Sequence, residues 1–142
     1  MPVLVRNRLR RAGVSPARIR RLAQRVLAAV GEPGAELSIE LVGDRRMRRL
    51  NRRYRNLDAP TDVLAFPIRE GGGPPSPLLG DVVISLHRAV CQASAGGHSL
   101  EQEVSSLLVH GVLHLCGYDH ERNQREARRM RRKEQAVLRS LA

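Results

Sequence analysis

Aromatic residues are nearly missing from this chain. Its 142 residues include two tyrosines, one phenylalanine and no tryptophan. A protein that grips a nucleic-acid strand along a row of stacking rings is thereby excluded, since only Tyr54, Phe66 and Tyr118 offer a ring. Cysteine is also scarce. Cys91 and Cys116 are too few for a disulfide scaffold and suit a reducing compartment. No stretch approaches the ~20 consecutive apolar residues of a membrane helix, and the opening MPVLVRNRLR lacks the apolar core of a secretory signal. A cytoplasmic protein without a membrane partner is expected. Acidic residues are absent from the first 31 positions, which hold eight arginines, as in an organellar transit segment. The serine enrichment of such segments is missing, however, because Ser15 is the only hydroxyl residue there.

What remains is a basic chain with room for a single domain spanning residues 1–142, since a chain of this size buries roughly two thirds of its unfolded surface. The apolar share of 42% and charged share of 27% are those of a globular protein. The formal net charge of +11 is unevenly spread. Residues 1–31, 44–55 and 121–142 are basic, whereas 56–120 are acidic. Of 25 basic residues only Lys133 is a lysine, which reflects either coding bias or a use for the planar guanidinium fork on phosphate.

Periodicity predicts helices over 15–30, from Asp44 to about Tyr54, over 86–95, over 100–116 and over 121–141, and strands over 37–42, 61–66 and 81–86. Ser15 before Pro16, Asp44, and the Ser99/Gln102 capping box mark helix starts, and Gly31 and Gly97 mark ends. The patch GGGPPSP at 71–77 reads as a surface loop. Strands unevenly interleaved with helices predict an α+β single domain, a small mixed sheet of about four strands covered by about five helices. The second helix sets Met47, Leu50 and Tyr54 against Arg45, Arg46, Arg48, Arg49, Arg52 and Arg53, a face that is either solvated or phosphate-binding.

Three of the five histidines fall in HGVLHLCGYDH, residues 110–120. Four residues along a helix turn through about 400°, so His110 and His114 leave the same side one turn apart. Gly117 allows a left-handed turn that returns His120 as a third nitrogen. Three neutral ligands leave a tetrahedral zinc its fourth position for a water whose pKa can fall to about 7, the pattern of a catalytic zinc. Cys116, about 200° from His114, points elsewhere. The intervals match the metzincin protease pattern, but the glutamate that serves those enzymes as general base is here Gly111.

The same segment resembles the signature of the YbeY family, bacterial endoribonucleases that mature rRNA. Leu50, Asn51, Tyr54, Arg55, Asp58, Pro60, Thr61, Asp62, Val63, Leu64, Phe66 and Pro67 are similar to a second family segment, Gly80, Asp81, Val83, Ile84 and Ser85 to a third, and Gly97, His98 and Ser99 to a fourth. Ala65 and Cys116 depart from the family's usual Ser and aliphatic residue. The resemblance implies a zincin-like metal helix and one zinc ion per chain on His110, His114 and His120. It implies cleavage of single-stranded RNA in maturation of the small-subunit rRNA 3′ end and in ribosome quality control, on a ribosomal particle or ribosomal protein. It also implies that Arg55 is needed for activity, stabilising the charged phosphate as an arginine fork can.

Asp62, Asp81, Asp119 and His98 are candidates to orient a liganding imidazole, with strand-end capping the alternative for Asp62 and Asp81. Glu103 shares the histidine stripe about two turns too early to ligate, and His87 reads as surface. Arg45, Arg48, Arg49, Arg52 and Arg53 are candidate RNA contacts. Glu134 interrupts the apolar stripe of the last helix as either a paired buried charge or a partner contact. Two other functions fit the pattern: a metalloprotease-like or other metal hydrolase, and a non-catalytic ribosome assembly factor with a structural metal.

Overall fold

The computed structural model describes residues 3–7, 15–59, 61–68 and 77–141, so Pro60 and nearly all of the 71–77 patch lie outside the described residues. The elements run β1 (Val3–Asn7), α1 (Pro16–Ala29), β2 (Glu36–Val42), α2 (Asp44–Arg55), β3 (Val63–Pro67), β4 (Leu78–Ser85), α3 (Leu86–Gly96), α4 (Leu100–Leu115) and α5 (Gln124–Leu141). The four strands form one mixed sheet in the order β1-β2-β4-β3. β1, β2 and β4 are parallel, and β3 pairs antiparallel with β4, matching Phe66 to Asp81. The expected α+β architecture of four strands and five helices is thus the observed one.

One face of the sheet carries the main core, in which Leu27 of α1, Leu108, Val112 and Leu113 of α4, and Met130 and Val137 of α5 pack with Ile39, Val82 and Ile84. Among the described residues the other face has a small cluster, Val42, Met47, Leu64 and Val83, under α2. The two sides differ because α4 is apolar around most of its circumference whereas α2 offers a narrow stripe. Among the described residues, part of the second face is therefore left uncovered beside α2.

Three expectations need correction. β1 lies within the basic N-terminal stretch and pairs with β2, with Val3 buried; its sequence VLVRN is short and ends in two polar residues, which hid the strand. Gly43, not Asp44, is the N-cap of α2, and Asp44 instead accepts a hydrogen bond from Ser85 Oγ at 3.3 Å. α5 starts at Gln124 rather than Glu121, because Asn123 Oδ1 accepts the Glu126 N–H at 2.8 Å and caps it. Among the described residues no helix is long and apolar enough to cross a membrane.

Candidate active site

Helix α4 sets the positions of the histidines. Its start is fixed by the reciprocal capping box, in which Ser99 Oγ accepts the Gln102 N–H and Gln102 Oε1 accepts the Ser99 N–H. Its end is a Schellman turn, with the Gly117 N–H on the His114 carbonyl and the Tyr118 N–H on the Leu113 carbonyl, both at 3.1 Å. Gly117 has φ +101°, a conformation that side-chain-bearing residues resist. The turn sends the chain back so that the His110 and His120 ring centroids are 5.0 Å apart at an interplanar angle of 64°.

His110, His114 and His120 line one cavity of about 330 Å³ together with Tyr54, Arg55, Glu121 and the β3 edge from Val63 to Phe66. The rings share its wall without meeting at a point, since among the described residues no three His, Cys, Asp or Glu side chains are drawn together tightly enough to hold an ion. The donor chemistry nevertheless suits zinc. His110 Nδ1 lies 2.7 Å from Glu134 Oε1. An ionised carboxylate accepts only, so Nδ1 carries the hydrogen, and in the neutral ring Nε2 then has its lone pair free for a metal. This carboxylate–imidazole pair is the usual support of a liganding histidine. The Glu134 hydrogen bond, with the charges of Glu134 and Asp62, raises the His110 pKa above its ordinary 6.5 in spite of burial. Glu134 is thus a paired charge, and the signal for it was a carboxylate in an apolar stripe. Glu121 gave no such signal.

Arg55 ends α2 and reaches the cavity, where its Nη2 bonds both Glu121 carboxylate oxygens at 3.2 Å. Gly111 has a steric cause: a Cβ there would come within 2.8 Å of Val82 Cγ1, because α4 presses on the sheet at that point. A side chain at this position, the metzincin glutamate included, would require the Val82 side chain to shift.

The remaining candidates are distributed differently from expectation. Asp119 Oδ1 accepts the Glu121 N–H at 3.0 Å, so it shapes the returning turn and does not orient an imidazole. Asp81 lines a different cavity from the histidines, because strand alternation turns it away from its neighbour Val82, which packs in the main core. Asp62 accepts from Gln92 at 3.3 Å and borders a cavity of about 210 Å³ behind His110 and Glu134, without touching the ring. His98 is bonded to Glu103 at 2.9 Å, outside the histidine cavity, and that bond raises its pKa above 6.5. Arg48 grips Asp58 in two-point fashion, whereas Arg45, Arg49, Arg52 and Arg53 are exposed, with Arg53 over the Tyr54 ring at 5.4 Å. His87 is at the surface and Cys116 packs against the main core.

The family model described as Endoribonuclease YbeY matches residues 4–142. A relative from Pelotomaculum thermopropionicum named Endoribonuclease YbeY is 50% identical over 146 residues, covering 97% of this chain and 95% of its own. Relatives of the same name from Geobacter metallireducens and Aquifex aeolicus are each 44% identical, over 97% and 95% of this chain and 94% and 89% of their own. Among solved structures, the solution structure of a Thermotoga maritima protein shares the fold, with a TM-score of 0.66 at 24% identity over 97% of this chain and 87% of that one.

Proposed function

This chain belongs to the YbeY endoribonuclease family, and from that premise we propose that it is a zinc-dependent endoribonuclease for single-stranded RNA, with His110, His114 and His120 as the metal ligands. The observation that carries the reading is the convergence of three imidazoles and the Arg55 guanidinium on one cavity. When bound, zinc supplies Lewis-acid charge and an acidified water beside the scissile phosphate. The chain's own residues do the rest. Glu134 holds the His110 ring through Nδ1, and Gly117 sets the return of His120. Glu121 keeps the Arg55 fork in the cavity. Both of that pair are exposed, so the contact is weak and a phosphate can take over the guanidinium, adding two-point charge where negative charge grows during cleavage.

The cavity opens along the β3 edge, and a single strand with splayed bases can follow it more readily than a duplex. The substrate in the cell is the small-subunit rRNA 3′ end on the ribosomal particle, where the particle provides the sequence choice that few base contacts can supply. A peptidase is disfavoured by the closeness of Gly111 to Val82. The test is incubation of zinc-loaded protein with unstructured and duplexed RNA, with and without chelator, beside His114→Ala purified identically. Cutting of the single strand alone, abolished by chelator and by the substitution, is expected. Cutting that persists in His114→Ala, or intact RNA that the ribosomal particle does not render cleavable, contradicts it.

A further inference from the structure

A second and larger cavity, about 510 Å³, lies on the open face of the sheet beside α2. Its lining includes Ser38 and Glu40 of β2, Arg46 and Tyr54 of α2, Phe66 of β3 and Asp81 of β4. Tyr54 and Phe66 belong to both cavities, so they form the ridge between this space and the histidines. Their rings meet edge to face at 5.0 Å, and Tyr54 remains 57% exposed, one of few large apolar side chains so placed. Two of the three aromatic residues in the chain are thus spent on one ridge.

The polar groups within are not equivalent. Arg46 Nε is held by Glu40 at 2.8 Å, so those charges are matched. Asp81, half-buried and directly paired with Phe66 across β3 and β4, has no hydrogen-bond or ion-pair partner among the described residues. Arg6 of β1 also lines the space, so two arginines, Arg6 and Arg46, are balanced by two carboxylates, Glu40 and Asp81. A carboxylate beside an aromatic wall, in a cavity without net positive charge, is better suited to a flat ring that carries N–H donors than to a phosphate.

We propose that this cavity binds the base of the nucleotide next to the cleaved phosphodiester, and that it prefers guanine; the inference rests on the ribonuclease reading above. A strand crossing the β3 edge has its phosphate among Arg55 and the histidines while the neighbouring base turns over the ridge, stacks on Tyr54 and presents its edge to Asp81. Guanine alone among the four bases offers two adjacent donors, N1–H and the N2 amino group, to one carboxylate. The arrangement admits only an unpaired base, which gives single-strand selectivity a structural source.

The test uses the full zinc-loaded chain and five-residue 2′-O-methyl oligoribonucleotides that differ only at the central position: guanine, inosine, uracil or no base. Fluorescence anisotropy should rank guanine roughly tenfold above the abasic probe, with inosine between them, as loss of one stack and one amino contact implies. Asp81→Asn should remove the guanine-over-inosine gap, and Tyr54→Ala should narrow the gap to the abasic probe where Tyr54→Phe keeps it. Equal affinity of the wild type for guanine and abasic probes overturns the pocket while leaving the ribonuclease intact, as does a guanine preference that survives Asp81→Asn. Failure to bind any probe overturns the pocket, and the ribonuclease reading then stands or falls on the chelator and His114→Ala cleavage test.

Discussion

At the scale of the residue, the site depends on a few atoms whose roles are separable. Glu134→Ala frees the His110 ring and should weaken zinc about 10- to 100-fold, whereas Glu134→Gln, whose carbonyl oxygen can still accept from Nδ1, should lose less. Competition with a chromophoric chelator reads this without any assay of cleavage, and equal affinities in all three proteins would remove Glu134 from the account. Gly117→Ala should cost about 1–3 kcal/mol, from a side chain forced to φ +101°, and should displace His120 with the turn. Chemical denaturation of the metal-free protein measures that cost directly. The three histidines were legible as a cluster because helical period, a glycine stop and a family signature coincide on them, and Arg55 through the family signature alone. Glu134 was legible only as an anomaly, since its partner His110 lies 24 residues away and no local rule connects the two. Asp119 and Asp81 misled for the converse reason, that closeness in sequence to a ligand or strand end says nothing of which way a side chain faces.

At the scale of the element, α4 sets the site from both of its ends: its capping box fixes the register and its Schellman turn delivers the third histidine. Just before it, the His98–Glu103 pair ties the α3–α4 junction. The His98 pKa is raised in the folded protein, so the pair's contribution to stability is present below about pH 6.5 and is lost as pH rises through the raised value. The melting-temperature gap between wild type and Glu103→Gln should therefore shrink from about pH 5.5 to pH 8.5, and a gap that widens would reverse the assignment. Helices with cap residues and broad apolar faces were readable from sequence. β1 was not, because five residues, two of them polar, carry too little period, and pairing with β2 makes the strand. The cap of α2 is Gly43, one residue before the expected Asp44, and α5 starts three residues after the expected Glu121 because Asn123 caps it.

At the scale of the whole molecule, the basic residues behind the +11 charge fall mainly in residues 1–31, 44–55 and 121–142, and α2, which spans the second of these stretches, ends in the cleft with Arg55. RNA binding should weaken linearly in log–log against salt, with each lost phosphate contact reducing the slope by about one. Removing Arg49 or Arg52 should lower that slope, whereas Arg48→Ala should change it less because Asp58 already holds that fork. Anisotropy between low and physiological salt measures it, and identical slopes for all variants would place the RNA elsewhere. The measurement that bears most directly on the account is a zinc titration of metal-free protein, with the cutting rate of an unstructured RNA as readout. The account predicts a rate that rises from zero and saturates at one equivalent per chain, and a His120→Ala protein that needs far more zinc to reach any rate. Full cutting without added zinc, or a His120→Ala curve that overlays the wild type, would contradict it.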